Sequence, residues 1–196
     1  EAYRQVLAVT PGDEEVEMAL EEIEQAAERW REIADRFIQE ADDASDAELK
    51  ASMLAKAATL IWQYEPKSKA SEVDRLFKQA LKADPSSVRA ARLFVQVLRQ
   101  REKYKEMASV LRKTADAARN RDEKLNFYLG AARAYARLVE DVDKAASAYE
   151  RVLDFTPSHE EALRFLVEHF TKLEDWDRLV SLYEDALRSR QKLESE

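Results

Sequence analysis

The sequence repeats one proline-containing pattern three times. The copies are residues 2–17 (AYRQVLAVTPGDEEVE), 76–91 (LFKQALKADPSSVRAA) and 148–163 (AYERVLDFTPSHEEAL). Their prolines are 74 and 72 residues apart. Self-similarity at a fixed period is typical of repeat proteins, in which each repeat is a small structural unit stacked on the next. The period therefore predicts a stack of similar units.

Apolar residues inside each copy follow helical spacing. Ala145, Tyr149 and Val152 are four and three residues apart, which places them on one helix face. Pro157 cannot continue that helix, so the chain turns there. Polar and acidic residues follow, and they suit the N-terminus of a second helix. Each unit is therefore predicted to be helical.

The composition supports an all-α protein. The chain of 196 residues holds only 2 glycines and 4 prolines, and strong helix formers dominate it. Without any cysteine, disulfides, zinc–thiolate sites and a cysteine nucleophile are excluded. No apolar stretch approaches the roughly 18 residues of a membrane span. From these absences we expect no membrane span and a cytoplasmic location.

This pattern resembles the tetratricopeptide repeat family. The second helix of that repeat carries a small residue, an aromatic residue, another small residue and a proline. The matching residues are Ala145, Tyr149, Val152 and Pro157, and in the preceding copy Val73, Phe77, Ala80 and Pro85. A large aromatic residue also recurs at the start of the second helix, as Trp30, Tyr104 and Trp176, and this recurrence predicts that all three are core residues.

The resemblance implies a single α-solenoid over residues 1–196, with about 11 helices in antiparallel hairpins and no strands. Since a family unit has about 34 residues, a period of about 72 holds two hairpins, as in degenerate bacterial-type arrays. The predicted hairpins are 14–41, 47–83, 87–118, 122–155 and 159–191. Residues 1–9 are predicted to be a lone second helix, so we expect the chain to be a piece of a longer protein. Residues 64–72 are predicted to form a protruding loop.

No constellation in the sequence predicts catalysis. His159 and His169 do not have metal-binding spacing, and no glycine-rich loop could cradle a phosphate. The acidic run 42–48 lacks the glycine that an EF-hand loop requires. We therefore predict no catalytic residue, no cofactor-binding residue and no metal ligand, and a protein that is not an enzyme.

Charge is distributed unevenly along the chain. Residues 1–49 sum to −12, residues 50–137 to +11 and residues 138–196 to −7. A basic middle segment favours an acidic partner. The other interpretation, solvated helix faces with an accidental bias, stays open.

The family resemblance also implies where a partner would bind, because such arrays bind ligands in a groove lined by first helices. The groove positions predicted to bind a partner are Trp62, Gln63, Arg89, Arg92, Gln96, Arg99, Asn126, Arg133, Arg137 and Arg164. Arginine presents a planar fork that pairs with carboxylates in a bidentate manner. These arginines could instead pair with neighbouring glutamates or only keep the surface soluble.

The leading hypothesis is a protein–protein interaction scaffold that binds an acidic peptide or an acidic protein surface in the groove of its central repeats. The alternative is a structural spacer that self-associates through open repeat edges. An RNA-binding helical repeat is a weaker alternative, because the groove positions offer almost no aromatic platform on which bases could stack.

Overall fold

A computed structural model describes residues 13–194, without the side chains at positions 20, 22–28 and 189–194. Across this range the chain forms nine α-helices, one π-helical segment and no strand. The all-α fold predicted from the sequence is confirmed. The lone helix predicted at 1–9 lies outside the described residues. No described helix combines the length and the hydropathy that a membrane span requires.

The chain divides into two compact units, Glu1–Asp84 and Pro85–Glu196. The described part of the first unit holds three helices. They are α1 (Glu14–Asp43), α2 (Ala47–Tyr64) and α3 (Ala70–Ala83). Helix α2 packs against both α1 and α3. Three of its alanines, Ala51, Ala57 and Ala58, are fully buried, so the backbones of neighbouring helices can approach closely.

Residues 14–43 form one continuous helix of 30 residues, so the hairpin predicted at 14–41 is wrong. The segment contains no glycine and no proline, and glutamate and alanine dominate it. Local helix propensity therefore prevails over the family pattern, which places a turn before Trp30. Asp13 caps the helix by accepting from the backbone N–H groups of Glu15 and Val16.

The turn between α2 and α3 is tied to α1. Tyr64 stacks on Trp30, with ring centroids 5.1 Å apart and an interplanar angle of 5°. Glu65 accepts a hydrogen bond from the Arg31 guanidinium. The segment 64–72, predicted to protrude as a loop, thus consists of the end of α2, a short turn and the start of α3.

The second unit is a run of helices that each pack on the next. They are α4 (Val88–Gln100), α5 (Tyr104–Ala117), α6 (Arg121–Ala134), α7 (Val142–Phe155), α8 (Glu160–Lys172) and α9 (Trp176–Glu194), with the π-helical segment Tyr135–Val139 after α6. This contact pattern is that of stacked helical hairpins. The core lies between the helices and includes Phe94, Tyr128, Tyr149, Leu166 and Phe170.

Two hairpin turns in this unit share one C-terminal motif. Glu102 and Glu174, 72 residues apart, have φ of 55° in the left-handed region. The N–H of the next residue reaches back five positions, from Lys103 to Leu98 O and from Asp175 to Phe170 O. This is the Schellman geometry, in which glycine is usual and glutamate is strained. The repeat period is therefore visible in the backbone as well as in the sequence.

The recurring aromatic residues do not share one environment. Trp30 is 7% exposed and Tyr104 is half-buried, but Trp176 is 56% exposed. The prediction that Trp176 is a core residue is wrong. In the described part of the chain, no helix follows α9 to cover the face on which Trp176 lies.

Candidate functional site

The predicted groove residues fall in both units. Trp62, half-buried, and Gln63, exposed, lie on α2 of the first unit. The other eight lie in the second unit: four on α4, Asn126 and Arg133 on α6, Arg137 in the π-helical segment after α6 and Arg164 on α8. The candidate site is therefore built from the first helices of the hairpins in the second unit.

Helix α4 has one apolar face and one basic face. Ala90, Phe94 and Val97 are buried, and Ser87 caps the helix by accepting from the backbone N–H of Ala90 at 3.5 Å. Residues Arg89, Arg92, Gln96 and Arg99, here called the arginine stripe, are all exposed. Their spacing of three, four and three residues keeps them in one row.

The charges of the arginine stripe are not compensated within the described chain. The side chains of Arg89, Arg92 and Arg99 make no hydrogen bond or ion pair with any residue that the structure describes. Like charges three or four residues apart destabilise a helix by a few tenths of a kcal/mol. The repulsion between Arg89 and Arg92, three residues apart, therefore destabilises α4 slightly, and an acidic partner would remove this effect.

The start of α4 adds to that cost. No acidic residue lies in its first turn, and Arg89 occupies the positive end of the helix dipole. The first helices of the next two hairpins begin differently, with Asp122 and Glu123 on α6 and with Glu160 and Glu161 on α8. A local departure from favourable helix electrostatics is expected at functional positions.

The arginines around α6 are paired instead. Arg133 Nε donates to both carboxylate oxygens of Glu161 at 3.0 Å, and its Nη2 lies 2.5 Å from Oε2. Arg137 Nη2 donates to Oε1 at 3.5 Å. The hydroxyl of Tyr149, on α7, donates to the same oxygen at 3.0 Å. One carboxylate on α8 thus ties three helical segments together.

The protonation of this cluster reflects its contacts. The Arg133 guanidinium lowers the pKa of Glu161, so the carboxylate stays ionised around neutral pH. Burial raises the pKa of Tyr149 to about 12, and its bond to Glu161 adds to the rise. The phenol therefore remains a hydrogen-bond donor. Arg133 and Arg137 are half to two-thirds exposed but already hold a carboxylate.

The π-helical segment carries Arg137 towards α8. Tyr135, at its start, is buried, and its carbonyl accepts from the backbone N–H of Asp141 at 3.0 Å. Glu140 closes the segment with φ of 60°. Extra residues in a helix of this kind re-aim side chains and are frequent at functional sites.

Arg164 and Asn126 are exposed members of the predicted set. Glu168 pairs with Lys172 at 2.7 Å on the same helix as Arg164. Lys172, with a smaller contribution from Arg164, lowers the pKa of Glu168. In the repeat alignment, Asn126 on α6 corresponds to Glu161 on α8, and it carries no charge.

The two histidines have structural contacts. His159 is the N-cap of α8, and its Nδ1 accepts from the backbone N–H of Ala162 at 3.4 Å. His169 packs beside Phe165 and Phe170. Among the described residues, no cluster of histidine and carboxylate side chains has the arrangement of a metal site.

Contact with Glu161 distinguishes two groups of arginines that look alike in the sequence. Within a single hairpin, both α4 and the segment around α6 present arginines, and α6 has no acid at a predicted groove position. The compensating acid comes from the next hairpin, 28 residues after Arg133. A comparison of the predicted groove positions of successive hairpins could have identified the pair of Arg133 and Glu161 from the sequence.

Comparisons with known proteins agree with the helical pattern. The tetratricopeptide repeat model matches residues 162–196, which contain most of α8 and all of α9. This segment is therefore similar to a tetratricopeptide repeat. The family resemblance predicted from the sequence is thereby confirmed, and tetratricopeptide repeats are in general protein–protein interaction scaffolds. No curated protein matches the sequence.

Solved structures of MamA are also similar to the chain. One crystal structure of MamA is 14% identical, covers 83% of this chain and 90% of its own, and has a TM-score of 0.42. Another is 15% identical, covers 85% of this chain and 92% of its own, and also has a TM-score of 0.42.

Proposed function

We propose that this chain is a non-enzymatic scaffold whose arginine stripe binds an acidic segment of a partner protein. The observation that carries the proposal is the row of three exposed arginines on α4, none of which meets an acid in the described chain. Arg133 and Arg137 also belong to the predicted groove residues, but they already share Glu161, so the proposal does not include them.

The chemistry of the stripe defines the partner. Guanidinium groups bind carboxylates through paired hydrogen bonds, and a row at helical spacing fits carboxylates that recur at a similar spacing. We therefore expect an acidic peptide or an acidic protein surface with several glutamates or aspartates in a row. Gln96, within the same row, can accept or donate a hydrogen bond.

A titration with a defined probe tests this proposal. The probe is a short fluorescein-labelled helical peptide with glutamates at spacings of three, four and three, and binding is measured by fluorescence anisotropy. The double variant Arg92→Glu/Arg99→Glu should weaken binding by more than about tenfold, because arginines in a desolvated contact contribute roughly 1–3 kcal/mol each. Unchanged binding would contradict the proposal.

A matched control variant distinguishes the effect of the arginine stripe from the effect of net charge. Lys113 and Arg119 are exposed in the same unit and make no ion pair with a described residue. The variant Lys113→Glu/Arg119→Glu changes the net charge by the same amount and should leave affinity within about twofold. A peptide with glutamine in place of glutamate should not bind to the wild-type chain.

RNA is the competing ligand for a basic surface. A fluorescein-labelled single-stranded RNA at low salt serves as a second probe. The exposed groove positions of the second unit include no aromatic side chain for base stacking, so we expect no saturable binding. Binding of RNA that Arg92→Glu/Arg99→Glu abolishes would replace the proposed protein partner with a nucleic acid.

A further inference from the structure

Helix α9 carries an apolar face that no described residue covers. Trp176, Val180, Tyr183 and Leu187, here called the α9 row, are 56%, 56%, 51% and 59% exposed. Helix α9 packs on α8, and Leu179 and Leu182, outside the row, are half-buried. Contiguous exposed apolar residues of this size mark interaction surfaces.

Two of the four equivalent positions are buried on each of two earlier helices, although Val142, which corresponds to Trp176, is 49% exposed. On α5, 72 residues earlier, Ala108 and Ala115 correspond to Val180 and Leu187 and are fully buried. On α7, Ala146 and Tyr149 correspond to Val180 and Tyr183 and are 4% and 2% exposed. The central part of the α9 row therefore corresponds to positions that are buried in earlier hairpins. All four of its side chains are larger than their counterparts on α5, which are Tyr104, Ala108, Leu111 and Ala115.

We propose that the occupant of the α9 row is the same row of a second copy of this chain, in an antiparallel arrangement. The spacing of the row, four, three and four residues, reads the same in both directions. A two-fold axis between Val180 and Tyr183 then sets Trp176 against Leu187 of the second copy. It also sets Val180 against Tyr183, so each contact joins a large and a smaller side chain. Spacings of three and four are those of a helix–helix seam.

Charges beside the α9 row favour the antiparallel orientation. Glu174 and Asp177 are exposed at the N-terminal end of one flank, and Arg188 is exposed at the C-terminal end of the same flank. Arg188 also pairs with Glu184 of its own helix at 3.3 Å, but an ion pair this exposed contributes little and leaves the guanidinium accessible. Antiparallel pairing places Arg188 of one copy level with Glu174 and Asp177 of the other, twice in the dimer. A parallel pairing would instead set this flank against the opposite flank of the second copy, so Arg188 would not come level with Glu174 and Asp177.

The size of the surface sets the expected strength. One helix face per copy belongs to the small interfaces, below about 1,200 Å² in total, that form transiently. We therefore expect a reversible dimer with a micromolar rather than a nanomolar dissociation constant. This inference does not depend on the arginine stripe, because α4 takes no part in the contact.

Sedimentation velocity of the full chain over a range of concentrations tests the dimer. Wild type should shift from monomer to dimer. Val180→Glu should raise the dissociation constant by at least about tenfold, because it places a carboxylate in the seam. Ser181→Glu, one residue off the row, is the matched control and should change the dissociation constant by less than about threefold. A wild-type chain that stays monomeric, or a dimer that survives Val180→Glu, would overturn the proposal.

Disulfide trapping tests the orientation, and the absence of native cysteines makes it clean. Differently tagged Trp176→Cys and Leu187→Cys chains are mixed and oxidised. The antiparallel pairing predicts a mixed disulfide between the two. It predicts little Trp176→Cys homodimer, because those sites would be about 16 Å apart along the helix axis. Predominant homodimers would show a parallel pairing, and no crosslink would show another surface; either result overturns the proposal.

Discussion

The arginines of α4 and those around α6 both belong to the set predicted to line a groove, but their surroundings differ. Arg89, Arg92 and Arg99 meet no acid in the described chain. Arg133 and Arg137 both reach Glu161, which also accepts from Tyr149. The difference lies in the acid available: α8 supplies Glu161 to Arg133 and Arg137, whereas no described acid pairs with the arginines of α4. Arginines on neighbouring first helices can therefore be paired within the chain in one hairpin and stay exposed without a described acid in another.

Removing the shared acid should have the largest effect on stability. We expect Glu161→Gln to lower the free energy of unfolding by about 1–2 kcal/mol, because it leaves a half-buried cluster without its negative charge. Urea unfolding followed by circular dichroism measures this as a lower midpoint. A midpoint equal to that of wild type would mean that the cluster is a solvated surface feature.

The same cluster should make stability depend on pH. Since the pKa of Glu161 in the folded chain lies below the ordinary value of 4.5, its ionised form stabilises the fold at higher pH. That contribution is lost as the pH falls from about 4.5 through the lowered pKa. The difference in unfolding free energy between wild type and Glu161→Gln should therefore shrink in acid. A difference that is constant from neutral pH to pH 3 would contradict this account.

An acid introduced on α6 should weaken binding of the acidic peptide to the arginine stripe on α4. Asn126→Glu places a carboxylate at the position that Glu161 occupies one hairpin later, so it should compete with the acidic peptide for the arginine stripe. We expect a loss of about three- to tenfold in peptide affinity, with Asn126→Gln as the neutral control. Equal affinities for the two variants would show that this position does not face the stripe.

Among these variants, a substitution in the arginine stripe should change stability least. Arg99→Gln should change the free energy of unfolding by less than about 0.5 kcal/mol, because the side chain is exposed and makes no described contact. Urea unfolding checks this beside Glu161→Gln. A loss comparable to that of Glu161→Gln would remove the distinction between the two groups of arginines.

Much of the fold could be predicted because the repeat pattern is local. Spacings of three and four residues identify the buried faces, and Phe77, Tyr149 and Leu166 are indeed buried. The pattern failed at 14–43, where alignment to the family placed a turn in a stretch without a helix-breaking residue. It also failed at Trp176, because burial at that position depends on a neighbouring helix and not on the residue itself.

The candidate site was harder to predict, because pairing between hairpins is a tertiary property. The sequence places Arg92 and Arg133 in the same class of groove residue. The bond from Arg133 to Glu161 depends on how α6 and α8 pack, which the spacing within one helix does not report. The exposed α9 row was likewise hidden, since its apolar residues have the spacing of a core.

The most direct test compares two variants with the same change in charge, Arg92→Gln/Arg99→Gln and Arg133→Gln/Arg137→Gln, in the acidic-peptide titration and in urea unfolding. The account predicts that the first loses at least about tenfold in affinity and keeps its stability. It predicts that the second loses stability and keeps its affinity within about twofold. Equal losses of affinity in both variants would contradict the claim that only the arginine stripe is free for a partner.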